Sequence, residues 1–157
     1  MGRGPAAITR FDRDLLAQSG VGSLIVFEGI NDIGFTTLGR EPASADQIIQ
    51  GYRNLIARAH AHCITVLGAT VTPHNGPVYY SSEGEAKRQA VNQFIRTSGE
   101  FDDVLDFDAA IRDSSDPTKT KPGISPDDLH FFDAGYQMLA NSIDLRLFKH
   151  PDKCGKD

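Results

Sequence analysis

The chain has 157 residues, 39% hydrophobic and 24% charged, enough for one globular domain with a real core and too apolar for a disordered chain. A net charge of −5 and a pI near 5.5 supply no basic face, which argues against nucleic acid or an anionic membrane surface as a partner. Apolar runs such as Leu24 to Phe27 and Ile64 to Leu67 fall far short of the roughly 20 residues of a membrane span, and Met1-Gly2-Arg3-Gly4-Pro5 lacks the pattern of a signal peptide.

In chain order, Ile8, Phe11, Leu15 and Leu16 recur at helical spacing, and Gly20 stops that pattern. Ser23 to Glu28 is a short apolar run that predicts a strand buried on both faces, closed by Gly29. Ser44 to Gln47 has the capping-box spacing. The helix it opens carries Ile48, Ile49, Tyr52, Leu55, Ile56 and Ala59 on one face and ends near His62. Ile64 to Leu67 predicts a second buried strand, leaving through Gly68 into a loop with Thr72-Pro73 and Asn75-Gly76-Pro77. Ser82 to Glu85 repeats the capping-box spacing before a helix expected to bury Ala86, Ala90, Val91, Phe94 and Ile95. Asp103 to Phe107 predicts a third strand, followed by a short helical piece around Ala109 to Arg112. A polar loop spans Ser114 to Ser125, and a last helix runs from about Ala134 to Phe148.

Strands alternating with helices build a parallel sheet between two helical layers, an α/β/α sandwich. Right-handed crossovers bring the carboxyl ends of the strands to one edge, where ligands bind in such sheets. The loops after Glu28, Leu67 and Phe107 open there. Residues 1–148 are read as one domain and 149–157 as a polar tail.

Two constellations sit at that edge. Gly29-Ile30-Asn31-Asp32 follows the first strand; the glycine permits a tight turn, and the Asn31 amide can aim an N–H into the crevice toward a developing oxyanion. The same tetrapeptide is also ordinary turn chemistry. Asp127 and His130 stand three residues apart before a helix. A carboxylate accepting from one ring nitrogen fixes the tautomer and leaves the other nitrogen free to take a nucleophile's proton, provided the loop turns through about one helical turn. Acids before a helix also serve as caps.

In this order and context the motifs resemble the SGNH hydrolases, also called the GDSL esterase and lipase family. The likeness extends from Phe11-Asp12-Arg13-Asp14 through Glu28-Gly29-Ile30-Asn31-Asp32, Gly68 to Pro73 and Asp106 to Ala110, to Asp133-Ala134-Gly135-Tyr136. It implies a three-layer α/β/α fold with a parallel sheet and a carboxylic-ester hydrolase that needs no cofactor or metal. It also implies His130 as general base, Asp127 as its orienting acid, and Asn31 with Gly29 in the oxyanion hole. The expected partner is a small-molecule ester.

Such enzymes begin with a strand ending in Gly-Asp-Ser, whose serine attacks the acyl carbon, and a second strand followed by an oxyanion-binding glycine. Neither motif is found in these 157 residues, so the resemblance predicts the family's domain without its first two strands. Ser23 opens a strand whose useful end lies about six residues away, roughly 20 Å. Ser81 and Ser82 read as helix caps, and Ser125 lies within the Asp127–His130 loop itself. A triad enzyme without its nucleophile keeps only a residual ~10³–10⁴-fold. The expectation is therefore negligible ester hydrolysis, with a non-catalytic module binding acylated carbohydrate or a protein partner as the alternative. A flavodoxin-like binding domain would need a Gly-rich phosphate loop, which no strand here precedes. Absence of the first strand would also leave residues 24–27 as an open edge that favours self-association.

Other residues have plainer expectations. His60, His62 and Cys63 suggest a metal cluster, but two histidines at a helix C-terminus are explained by its dipole. His74 is expected to be a solvated loop residue, Tyr79-Tyr80 to pack under that loop or touch substrate, and Glu28 to bond nearby backbone. Phe131-Phe132 replaces the proline and small polar residue common in the family, which bears on how the His130 loop packs. Two cysteines, Cys63 and Cys154, are too few for a disulfide framework and leave the compartment open.

Overall fold

A computed structural model of the protein describes residues 5–34, 41–76 and 80–148. Gly4, Pro77, Tyr79, Cys154 and the expected tail from 149 lie outside the described residues. Three strands, β1 (Ser23–Val26), β2 (Thr65–Ala69) and β3 (Asp103–Leu105), form a parallel sheet in the order β1-β2-β3. Val26 pairs with Gly68, and Ala69 with Leu105, so the three carboxyl ends meet at one edge as the alternating pattern predicts.

Among the described residues six α-helices flank the sheet: α1 (Ala7–Phe11), α2 (Ile30–Gly34), α3 (Ala45–His60), α4 (Ser82–Thr97), α5 (Phe107–Ile111) and α6 (Asp133–Asn141). One core joins Val66 and Val26 to Phe11, Ile48, Tyr52, Leu55 and Ile95 of α1, α3 and α4. The other joins Leu67, Ala69 and Leu105 to Phe107, Ile111 and Leu139 of α5 and α6. Consecutive β2 residues therefore feed opposite cores, which makes the molecule an α/β/α sandwich. Every β2 residue is buried, and a side chain such as Leu67 contributes roughly 1.5–3 kcal/mol by leaving water.

Local chemistry fixes the boundaries. The α3 capping box forms as expected: Ser44 Oγ accepts from Gln47 N–H at 3.1 Å, and Gln47 Oε1 accepts from Ser44 N–H at 2.9 Å. At α4 the cap is Ser81, whose Oγ accepts from Gly84 N–H at 2.9 Å, and Ser82 is the first helical residue. The third strand stops two residues earlier than expected because Asp106 accepts from Ala109 N–H at 3.1 Å and starts α5 at Phe107. The last helix breaks after Asn141; the Ser142 hydroxyl donates to the Leu139 carbonyl at 2.7 Å, and Asp144 starts a separate 3-10 turn over Leu145–Phe148. The first helix loosens after Phe11 into a π-helical turn, Asp12–Leu16. Gly68, expected to leave the second strand, lies within it against the Phe101 ring.

Two burial expectations fail for physical reasons. The first strand is not buried on both faces: Val26 is buried, but Ile25 and Phe27 are 38% and 39% exposed. α5 and α6 pack on β2 and β3, and the second core includes no residue of β1. In α4 the buried stripe is Gly84, Arg88, Val91, Asn92 and Ile95, so Ala86 and Ala90 face solvent. An arginine and an asparagine occupy positions where hydropathy alone places alanines. Among the described residues, no helix is long and apolar enough to cross a membrane.

Candidate active site

The turn after β1 is built around Gly29, at φ +113, where a Cβ would run into the Tyr52 hydroxyl. That hydroxyl donates to the Glu28 carbonyl at 2.7 Å and fixes the strand exit. The Gly29 carbonyl then accepts from Asp32 and Ile33 N–H, both at 3.1 Å, starting α2. Asn31 is exposed in the first turn of α2. The Glu28 carboxylate departs from expectation: it pairs with Arg10 at 2.6 Å rather than with backbone.

The Asp127–His130 loop closes on itself. Asp127 Oδ2 lies 2.8 Å from His130 Nδ1, while Oδ1 accepts from Leu129 N–H at 3.0 Å and His130 N–H at 2.8 Å. The His130 hydrogen bonds, ring first, hold the Asp127 carboxyl at about 2, so it is a carboxylate at any pH where the histidine is neutral. Both side chains reach solvent, His130 at 73% and Asp127 at 40% exposure. Among the described residues Nε2 of His130 has no hydrogen bond. The Ser125 hydroxyl donates to the His130 carbonyl at 2.6 Å and accepts from Asp127 N–H at 3.3 Å, so it is committed to the backbone of this loop.

One cleft, enclosing about 120 Å³, lies between the two segments. Phe27, Glu28 and Ile30 line it from the β1 exit, Val71 and Thr72 from the β2 exit, Leu129 and Phe131 from the Asp127–His130 loop and the residue after it, and Tyr136 from α6. Asn31 and His130 each adjoin a lining residue from opposite sides. The two phenylalanines at 131 and 132 divide their roles. Phe131 packs edge-on to Tyr136 with centroids 5.6 Å apart, and Phe132, 51% exposed, precedes α6. Phe131 thus walls the cleft where a proline would offer less surface.

A model of the GDSL-like lipase/acylhydrolase family matches residues 2–138. The chain belongs to that family. Among solved structures it is similar to a GDSL-like lipase from Bacteroides thetaiotaomicron, at TM-score 0.73 and 18% identity, covering 90% of this chain and 69% of that one. It is similar also to a catalytic mutant of an acetylxylan esterase from Geobacillus stearothermophilus, at TM-score 0.68 and 18% identity, covering 96% of this chain and 69% of that one. At such identities these likenesses speak to the fold. No curated protein matches the chain.

Beneath the cleft lies an ionic network that sequence reasoning missed. Arg88, fully buried, donates to Asp108 at 2.7 Å, to both Glu85 oxygens at 2.7 and 2.8 Å, and to the Val71 carbonyl at 3.0 Å. Burial opposes its charge, but the Glu85 and Asp108 hydrogen bonds outweigh that penalty and raise its pKa. Arg96 and Arg112 also reach Asp108, at 2.6 and 3.1 Å. Asn92 pairs with both Val71 backbone groups, at 2.7 and 2.8 Å, and so holds the β2 exit as a further strand would. The available signal was the spacing of Arg88 and Asn92, four residues apart on one helical face.

One histidine departs from its expectation. His74 is not solvated: it is 1% exposed, and neither ring nitrogen has a hydrogen-bond partner among the described residues. Burial pushes its pKa down, and an unpaired buried group costs roughly 1–3 kcal/mol. Tyr80 lies beside it, ring centroids 6.0 Å apart. His60 contacts Asp102 at 2.9 Å, Cys63 is disulfide-bonded, and no group of three metal-binding side chains exists among the described residues.

Proposed function

We propose that this chain carries the acid–base and oxyanion side of a carboxylic-ester hydrolase site. The observation that supports it is the 2.8 Å Asp127–His130 contact beside a cleft whose other wall is the turn bearing Asn31. Asp127 holds the proton of His130 on Nδ1, which leaves Nε2 to accept one. A serine hydroxyl attacking the acyl carbon would pass its proton to Nε2, and the resulting imidazolium would return it to the departing alkoxide. Water then repeats the sequence on the acyl-enzyme. The Asn31 amide and the Gly29 turn serve the oxyanion formed in each half.

The serine comes from outside these 157 residues. Ser125 is tied to the His130 carbonyl, Ser81 caps α4, and Ser23 begins β1 at the opposite end from the cleft. The test is fluorophosphonate labelling of this chain and of a form extended upstream through a strand ending in Gly-Asp-Ser. Labelling of the extended form alone, lost in His130→Ala, is expected. An extended form that never labels would contradict the enzymatic reading and favour a binding module.

The same reading makes β1 a docking edge. Among the described residues it pairs on one side only, with Ile25 in the strand and Phe27 just after it partly exposed to solvent. We infer that the chain by itself self-associates there. Light scattering that finds a monodisperse monomer would contradict this.

A further inference from the structure

Between Asp127 and His130 the backbone takes an unusual course. Asp128 lies at φ 56, in the left-handed region that side-chain-bearing residues enter at a cost and that aspartate and asparagine tolerate best. A side-chain clasp offsets that cost. Asp128 Oδ1 accepts from the Thr120 hydroxyl at 2.6 Å and from Thr120 N–H at 3.3 Å. Thr120 is buried and bridges Arg112 in antiparallel fashion. Its neighbours are stitched to the end of α5: Asp113 N–H donates to the Lys119 carbonyl at 2.9 Å, and Lys121 N–H to the Ile111 carbonyl at 2.8 Å. Arg112 in turn bonds Asp108 at 3.1 Å, so the clasp is anchored to the buried ionic network. From the other side Gly76 abuts the loop so closely that a Cβ there would collide with the Asp127 carbonyl oxygen. The Asp127-Asp128 step is held between Thr120 and Gly76.

We propose that Asp128 is a positioning residue: its clasp to Thr120 sets the turn in which one carboxylate reaches both the His130 backbone and its ring, and thereby fixes the tautomer of His130. The inference rests on the acid–base reading of Asp127 and His130. Three of the bonds to the Asp127 carboxylate come from Leu129 and His130, beyond Asp128 in the chain, and a fourth, at 3.4 Å, comes from the Ser125 hydroxyl. The Thr120 clasp holds residue 128 in the left-handed course that links the acid to those groups. With both side chains exposed, packing does not hold the ring in their place.

The experiment is a long-range proton–nitrogen spectrum of the imidazoles in the 157-residue chain, with the His130 signals assigned by their loss in His130→Gln. The wild type is expected to show a single neutral tautomer protonated at Nδ1. Asp128→Asn, which keeps an acceptor oxygen and tolerates the left-handed conformation, is expected to retain it. Asp128→Ala and Thr120→Val are expected to lose it and give the tautomer mixture of a solvent-exposed histidine. A clasp that merely stabilises the fold would lower the melting temperature of both variants and leave the tautomer unchanged, and that result overturns the positioning role alone. Should Asp128→Ala fail to fold, Thr120→Val carries the same decision. A wild type without the Nδ1–H tautomer would overturn the acid–base pairing and the positioning role together.

Discussion

The interior below the sheet edge and the loop above it use charge in opposite ways. Arg88 and Asp108 are fully buried and bonded from several directions, so their geometry is over-determined. Asp127 and His130 stand in solvent and are ordered mainly by hydrogen bonds within one turn. A buried ion pair tolerates little change because either partner alone is an uncompensated charge. An exposed pair contributes little to stability and is free to serve chemistry. The comparison assigns the network to holding the β2 exit and α5, and leaves the loop free for the acid–base role proposed for it.

The comparison is broken most severely at Asp108. Asp108→Ala leaves Arg88 buried beside Glu85 alone and is expected to cost about 3–5 kcal/mol in urea unfolding. Next is Gly76→Ala, which forces the Asp127 carbonyl to move; a loss of about 1–3 kcal/mol is expected, together with displaced His130 resonances in nitrogen-resolved spectra.

His74 is the exception within the buried region. Its folded pKa lies below the unfolded value of about 6.5, so it costs nothing extra above that pH, and the folded state loses stability as pH falls below it. His74→Leu removes both the titration and the unpaired nitrogens. The variant is expected to gain about 1 kcal/mol at pH 8 and more at pH 5 in paired unfolding curves. An advantage that shrinks with acid would contradict this sign.

The smallest effect belongs to the exposed loop. The Asp127 carboxyl is depressed to about 2, which gives stability present above the unfolded value of about 3.9 and lost as pH falls through 2. Solvent screening reduces that to under about 1 kcal/mol. Asp127→Asn should therefore unfold almost like the wild type at pH 7, the difference vanishing below about pH 2, while the His130 tautomer is lost.

How much of this was legible in the sequence depended on whether the signal was local. The Ser44 box, the apolar runs and the Asp127–His130 spacing each act over a few residues, and the structure follows them. The α4 face was misread because its buried stripe includes Arg88 and Asn92, whose partners, Asp108 and Val71, lie 20 and 21 residues away. His74 was misread because loop residues are usually solvated, whereas this loop crosses under α4 and Tyr80. Exposure of Ile25 and Phe27 depends on which strands the second helical layer covers, and hydropathy within β1 does not encode that. The Asp128 clasp required a left-handed residue that composition does not mark, since aspartate serves turns of many kinds.

The central claim is that these residues form the acid–base half of an acylhydrolase site and lack its nucleophile. The most direct measurement is turnover of a short-chain aryl ester by this chain and by a form extended upstream through a Gly-Asp-Ser strand, each with and without His130→Ala. Negligible turnover by the 157-residue chain and His130-dependent turnover by the extended form are predicted. His130-dependent turnover by the 157-residue chain alone would contradict the account.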